Sequence, residues 1–162
     1  MTEKNYTIQH FDEMTIQGYP AQLPLPTMEN IEEVSKAKSN HFASVAKSGK
    51  FPMLMKVSQD KIGYAISTAT ADFLEYFAGA NTIENFEDTE TRTLPEGDYV
   101  VLKGEGGPSR ALFDQLISKF FGEILPANPG LYKEDSFVVE ALLNGNPMDA
   151  VVELRIPVSE NN

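Results

Sequence analysis

The chain sets out the same order of elements twice: strand, helix, strand, strand. Apolar and polar residues alternate over Tyr6, Ile8 and His10 and again over Met14–Tyr19, which predicts a first strand in two parts, bent near Phe11–Glu13. Pro20, Pro24 and Pro26 are expected to end it. Asn30 with Glu33 resembles a capping box, so a helix is expected from about Ile31 to Ser48. Its partial apolar face is Ile31, Val34, His41, Phe42 and Val45, and Gly49 stands just past its end. Strands over Lys61–Ser67 and Asp72–Ala78 complete the first half.

The second half restarts with extended segments Glu90–Leu94 and Asp98–Lys103 around Pro95–Gly97. Pro108 opens a helix to about Phe121, in which Leu112, Leu116 and Phe120 recur every fourth residue. Gly122 is expected to stop it, and Pro126–Gly130 reads as a turn-rich connection. Strands around Phe137–Leu142 and Ala150–Ile156 follow, joined by a turn at Asn144–Pro147. Residue identities do not repeat; only the order of elements does. The expected fold is therefore α+β. Duplicated βαββ halves, about residues 1–83 and 89–158 of one domain spanning 1–162, form an antiparallel sheet with two main helices on one face. The sheet's other face must then be covered by loops, a partner or a ligand, which leaves a place for a central ligand cleft along the join between the halves. The acidic stretch Glu84–Glu90 reads as a solvated linker.

Composition removes several functions. A formal net charge of −11 and a pI near 4.6 argue against direct nucleic-acid binding, which needs a basic patch, and suit cationic partners or ligands. Without cysteine there are no disulfides, zinc ribbons or thiol nucleophiles. His10 and His41 lie far apart in sequence, so no metal is expected, and nothing calls for a cofactor. Gly104–Gly107 before a helix lacks the Gly-Lys-Ser/Thr ending of a phosphate loop, and Glu105 would repel phosphate. No secretion signal and no membrane-length apolar run is visible, so a cytoplasmic protein is expected.

Candidate chemistry lies in acids set within apolar strands. Glu140 shares its strand face with Val138 and Leu142; Glu153 shares its own with Val151 and Arg155. A carboxylate there is costly unless it is paired or turned to water. For Glu153, Arg155 is a ready partner. Glu75 lies between Phe73 and Phe77 and could hold a cation by charge and ring quadrupole together. Tyr64, Tyr76 and Tyr99 fall on predicted inner strands, where a core position with the hydroxyl at the rim is the commoner use. Phe51, Met53 and Met55 form a soft apolar patch, best explained as core filling. No Ser/His/Asp arrangement is present.

Four stretches together resemble the gyrase-inhibitor-like (GyrI-like) family, the effector-binding domain of bacterial multidrug-responsive regulators. Ala71–Ala80, with Phe-Leu-Glu-Tyr-Phe-Ala-Gly, is similar to the family's aromatic strand. Leu94–Val101 is similar to its proline–glycine–tyrosine stretch before the second helix. Phe137–Leu142 resembles its penultimate strand, and Val152–Val158 its closing strand. The resemblance implies a duplicated βαββ fold with a central cleft, in which a buried glutamate meets aromatic cations among tyrosines. Glu140 matches that glutamate and Glu153 the acid of the last strand. Leu142 and Arg155 stand where the family has aromatic residues, and no helix-turn-helix segment precedes the domain, which implies a stand-alone version.

The leading expectation is a small-molecule binding or sensing domain, for cationic or amphipathic ligands, with Glu140, Glu153, Glu75, Tyr64, Tyr76, Tyr99 and Phe73 as candidate contacts. One alternative is a hydrolase of strained toxic molecules, as the resemblance implies for some members. It would use a glutamate of raised pKa, Glu140 or Glu153, beside Tyr99 or Tyr64. Another is an acidic protein that occupies a basic partner such as DNA gyrase, or that docks on a regulator.

Overall fold

The computed structural model describes residues 6–27, 29–82, 89–131, 137–144, 146 and 148–158. Most of the acidic linker and part of the Asn144–Pro147 turn lie outside them. Among the described residues the fold is α+β, built on one curled antiparallel sheet of eight strands. The strands are β1 (Thr7–Phe11), β2 (Met14–Leu23), β3 (Gly63–Ala69), β4 (Leu74–Asn81), β5 (Glu90–Leu94), β6 (Gly97–Gly107), β7 (Phe137–Leu142) and β8 (Ala150–Pro157). They lie in the order β1-β6-β8-β7-β3-β4-β2-β5.

That order is symmetric about the β7–β3 pair, where Ala65 faces Glu140 and Ile66 faces Val139. Each half also lends its leading strand to the other: β1 pairs with β6, and β5 with β2. The doubled order of elements is thus a doubled sheet with exchanged edges.

Helix α1 (Ile31–Lys47) and helix α3 (Ser109–Lys119) cover one face. Val34 of α1 packs on Leu23, Ala65, Leu74 and Tyr76. Phe113, Leu116 and Phe120 pack on Val100, Leu102, Val152 and Leu154. The other face holds Ile16, Tyr64, Ile66, Phe77, Leu94 and Val139, clustered inside the curl of the sheet. Side-chain alternation along each strand separates these two cores.

Three local expectations are corrected. β2 runs through Pro20 to Leu23, because β5 covers its outer edge only from Met14 to Gly18 and a residue without an N–H is tolerated beyond that. A short helix α2 (Lys50–Lys56) follows Gly49, whose φ of +82° supplies the left-handed break after α1. Gly122 does not stop α3. The helix continues through a π turn at Phe120–Ile124 and a last turn at Leu125–Ala127, since Phe120 and Ile124 are buried against the sheet. That packing outweighs the roughly 1 kcal/mol helix cost of glycine.

Candidate ligand site at the join between the halves

Small residues meet where the halves join. Gly63 and Ala65 on β3, and Ser39, Ala43 and Ala46 on α1, leave space between the two helices and the centre of the sheet. The result is a cavity of about 420 Å³ walled by Phe42, Phe113, Leu142 and Met148. The volume falls within the roughly 300–1,000 Å³ of small-molecule sites. A cavity at the join therefore exists, but on the helix-covered face rather than the opposite one, because α1 and α3 stand apart over the small residues of the seam.

Its floor is charged. Glu140 on β7 is 1% exposed. Arg110, in the first turn of α3, donates from Nη1 to Glu140 Oε1 at 2.9 Å and from Nη2 to Oε2 at 2.7 Å. Tyr76 on β4 donates its hydroxyl to Glu140 Oε1 at 2.9 Å. Lys38 Nζ, on α1, stands 3.7 Å from Oε2 and 5.6 Å from the centre of the Tyr76 ring. Arg110 also donates through Nε to Asp114 at 3.0 Å, and Ser35 donates to the same carboxylate, tying α1 to α3.

Burial alone would raise the Glu140 pKa. The charges of Arg110 and Lys38, with hydrogen bonds from Arg110 and Tyr76, outweigh it and hold the carboxyl at about 2. Tyr76 moves the other way: burial, and then the Glu140 charge, push its hydroxyl well above the usual range, so it stays a donor. Burial lowers the Lys38 ammonium, with Glu140 opposing and Arg110 adding to the fall.

The other predicted acids lie on the opposite face, each with its own arginine. Glu75 accepts Arg92 Nε at 2.9 Å and Nη2 at 3.0 Å, while the Arg92 guanidinium sits 4.7 Å from the Phe77 ring centre. The cation expected at Glu75 is thus the chain's own, and the ring beside it is Phe77. Phe73 lies before β4, where its carbonyl accepts from the Thr70 N–H and hydroxyl. Glu153 Oε1 accepts Arg155 Nε at 3.0 Å and Nη2 at 2.9 Å. Arg155 in turn stacks 4.4 Å from Phe11 and 5.7 Å from Tyr64. The hollow beside Arg155 and Tyr99 measures about 10 Å³, room for about one water.

Tyr99 donates to the Pro95 carbonyl at 2.8 Å, and Tyr64 donates to Asp60 at 2.7 Å. Glu140 therefore cannot act with either tyrosine, because the sheet stands between them; its phenol partner is Tyr76. Nor is the Glu140 pKa raised, as the hydrolase reading required. Of the seven predicted contacts, Glu140 and Tyr76 share the cavity floor, and Tyr64 borders it through β3. Glu153, Glu75, Tyr99 and Phe73 are elsewhere. Lys38, Arg110, Phe42 and Phe113 were not foreseen. His10, Asp12 and Glu96 bring ligand-type atoms within 4.8 Å of one another, but all three are exposed. His10 there pairs with Asp98 at 3.0 Å and Glu96 at 3.4 Å.

Comparison with known proteins places this geometry. None of the curated proteins matches the chain in sequence. Among solved structures, SAV2435 bound to tetraphenylphosphonium superposes with a TM-score of 0.80 at 12% identity, over 97% of this chain and 95% of that one. A proposed bacterial transcription regulation protein from Staphylococcus aureus MU50 gives 0.75 at 14% identity, over 95% and 97%. An integron cassette protein from the mobile metagenome of Vibrio cholerae, Cass2, gives 0.64 at 15% identity, over 96% of each chain. All three share the fold, and they fit the gyrase-inhibitor-like effector-binding type. The profile of the integron-associated effector binding proteins (Cass2) matches residues 7–158, and the chain belongs to that family.

Proposed function

We propose that this protein is a small-molecule sensor whose effector, an amphipathic molecule, sits in the cavity between α1, α3 and the β3–β7 seam. One observation carries the reading: an apolar-walled cavity of about 420 Å³ stands over a buried charged cluster in which Arg110 and Tyr76 hydrogen-bond Glu140. Burying the ligand's apolar surface at roughly 25 cal/mol per Å² supplies most of the affinity. The charged floor fixes its orientation. That a structural neighbour was solved with tetraphenylphosphonium supports a bulky aromatic ligand, and the neighbour from transcription regulation supports a regulatory role.

The expectation that Glu140 itself captures a cation needs revision. Its two oxygens already accept three hydrogen bonds and face a second internal cation. On this reading Glu140 anchors the helices and positions Lys38 and Arg110.

A neutral, polarity-sensitive dye tests the cavity. Phenylnaphthylamine should bind saturably, one per chain, with a blue shift and enhanced emission. Ala46→Trp, which fills the cavity from α1, should weaken it by about tenfold or more, the scale of 1.4 kcal/mol. Equal binding to both proteins would reject the site.

A further inference from the structure

We infer that the effector carries an acidic group, a carboxylate or sulfonate, received by Lys38 at the edge of the Arg110–Glu140 cluster. This names the ligand class of the proposed cavity and rests on that reading. Three features converge on it.

First, the described lining is cationic although the chain is acidic. The lining holds Lys38, Lys47 and Arg110 with one carboxylate, Glu140, against a net charge of −11 for the whole; Asp114, paired with Arg110, supplies a second carboxylate just outside it. Exposed charges elsewhere are screened over about 8–10 Å at physiological salt, so the local balance decides what the cavity accepts.

Second, Lys38 is left over. Arg110 neutralises Glu140 with two short hydrogen bonds, and Tyr76 adds a third. Lys38 Nζ is 3.7 Å away, a long ion pair that leaves most of its donor capacity unused. Its side chain is only 9% exposed and lines the cavity. A buried ammonium has three donors to satisfy, and an apolar cavity offers none of the acceptors. An anionic oxygen beside it removes that cost. A cation placed there meets two like charges.

Third, α3 begins at the same edge. Pro108, Ser109 and Arg110 line the cavity, no side chain among the described residues caps the helix, and its first turn holds no acid. The free N–H groups of a helix start favour negative charge.

Two probe pairs test the inference. Anilinonaphthalene sulfonate is phenylnaphthylamine with a sulfonate added. The sulfonate should bind at least about tenfold more tightly, the scale of one charge-assisted hydrogen bond. In Lys38→Met the ratio of sulfonate to neutral-dye affinity should fall from at least about tenfold to near one, with circular dichroism reporting that the variant is folded. A sulfonate that binds the wild-type chain no better than the neutral dye, or an affinity ratio unchanged in folded Lys38→Met, overturns the anion assignment while leaving the cavity. Failure of both dyes to bind the wild-type chain overturns the cavity and the assignment together. The unaltered protein gives the second readout. Tetraphenylborate and tetraphenylphosphonium share a shape and differ in sign, and the borate should bind more tightly. A preference for the phosphonium overturns the anion assignment.

Discussion

At the scale of residues, the site is a charge-compensation problem solved inside the protein. Glu140 is fully buried and ionised because Arg110, Lys38 and Tyr76 surround it. Removing one member of such a cluster leaves the others uncompensated. Glu140→Gln should therefore destabilise the fold by about 3–5 kcal/mol at neutral pH, measured by urea unfolding. The folded-state pKa of about 2 lies below the ordinary 4.5, so Glu140 contributes stability that is fully present above pH 4.5 and lost as pH falls toward 2. The stability gap between wild type and Glu140→Gln should hold constant above that window and narrow within it. A gap independent of pH would show that Glu140 is not the ionised centre of the cluster.

Glu140 was legible as an acid among apolar neighbours. Its partners were legible by the same rule, applied to helices. Lys38 lies four residues after Val34 and seven before Val45, on the buried stripe of α1. Arg110 is a cation in the first turn of a helix, where the dipole disfavours it. Both positions are anomalies of pattern, and both are explained by Glu140. The Glu153–Arg155 pair was legible, because the two share one face of one strand. What no pattern shows is which of Glu75 and Glu140 meets Arg92 and which meets Arg110, because that depends on the sheet face and on contacts between elements far apart in sequence.

At the scale of elements, strand order along the chain came through almost intact, and boundaries moved where tertiary packing overrode local signals. Pro20 stayed inside β2 at an edge, and Gly122 stayed inside a helix held by Phe120 and Ile124. Helix α2 had no periodicity long enough to announce it. Glycine matters most where β2 meets β4. Gly18 pairs with Gly79, and a Cβ on Gly79 would lie 2.0 Å from the Gln17 carbonyl oxygen. Backbone cannot yield as a flexible side chain can. Gly79→Ala should cost about 3 kcal/mol or more, seen as a large fall in Tm. A change within experimental error would mean that the two strands are farther apart than described.

At the scale of the whole molecule, duplication creates the site. The halves meet at β3 and β7, exchange β1 and β5, and each brings one long helix to the same face. A cavity between two such helices opens over the seam, and the ion-pair cluster binds α1, α3, β4 and β7 at that point. The repeat order in the sequence foretold the sheet and a cleft at the join, but not the face on which it lies. It did not foretell the sign of the cleft's charge, since the chain's acidity is an average and the lining is a local exception.

The most direct measurement is a crystal structure of the complex with anilinonaphthalene sulfonate. The rings are predicted to fill the space between Phe42 and Phe113, with a sulfonate oxygen within about 3 Å of Lys38 Nζ. Dye bound elsewhere, with that cavity closed by the protein's own side chains, would contradict the account.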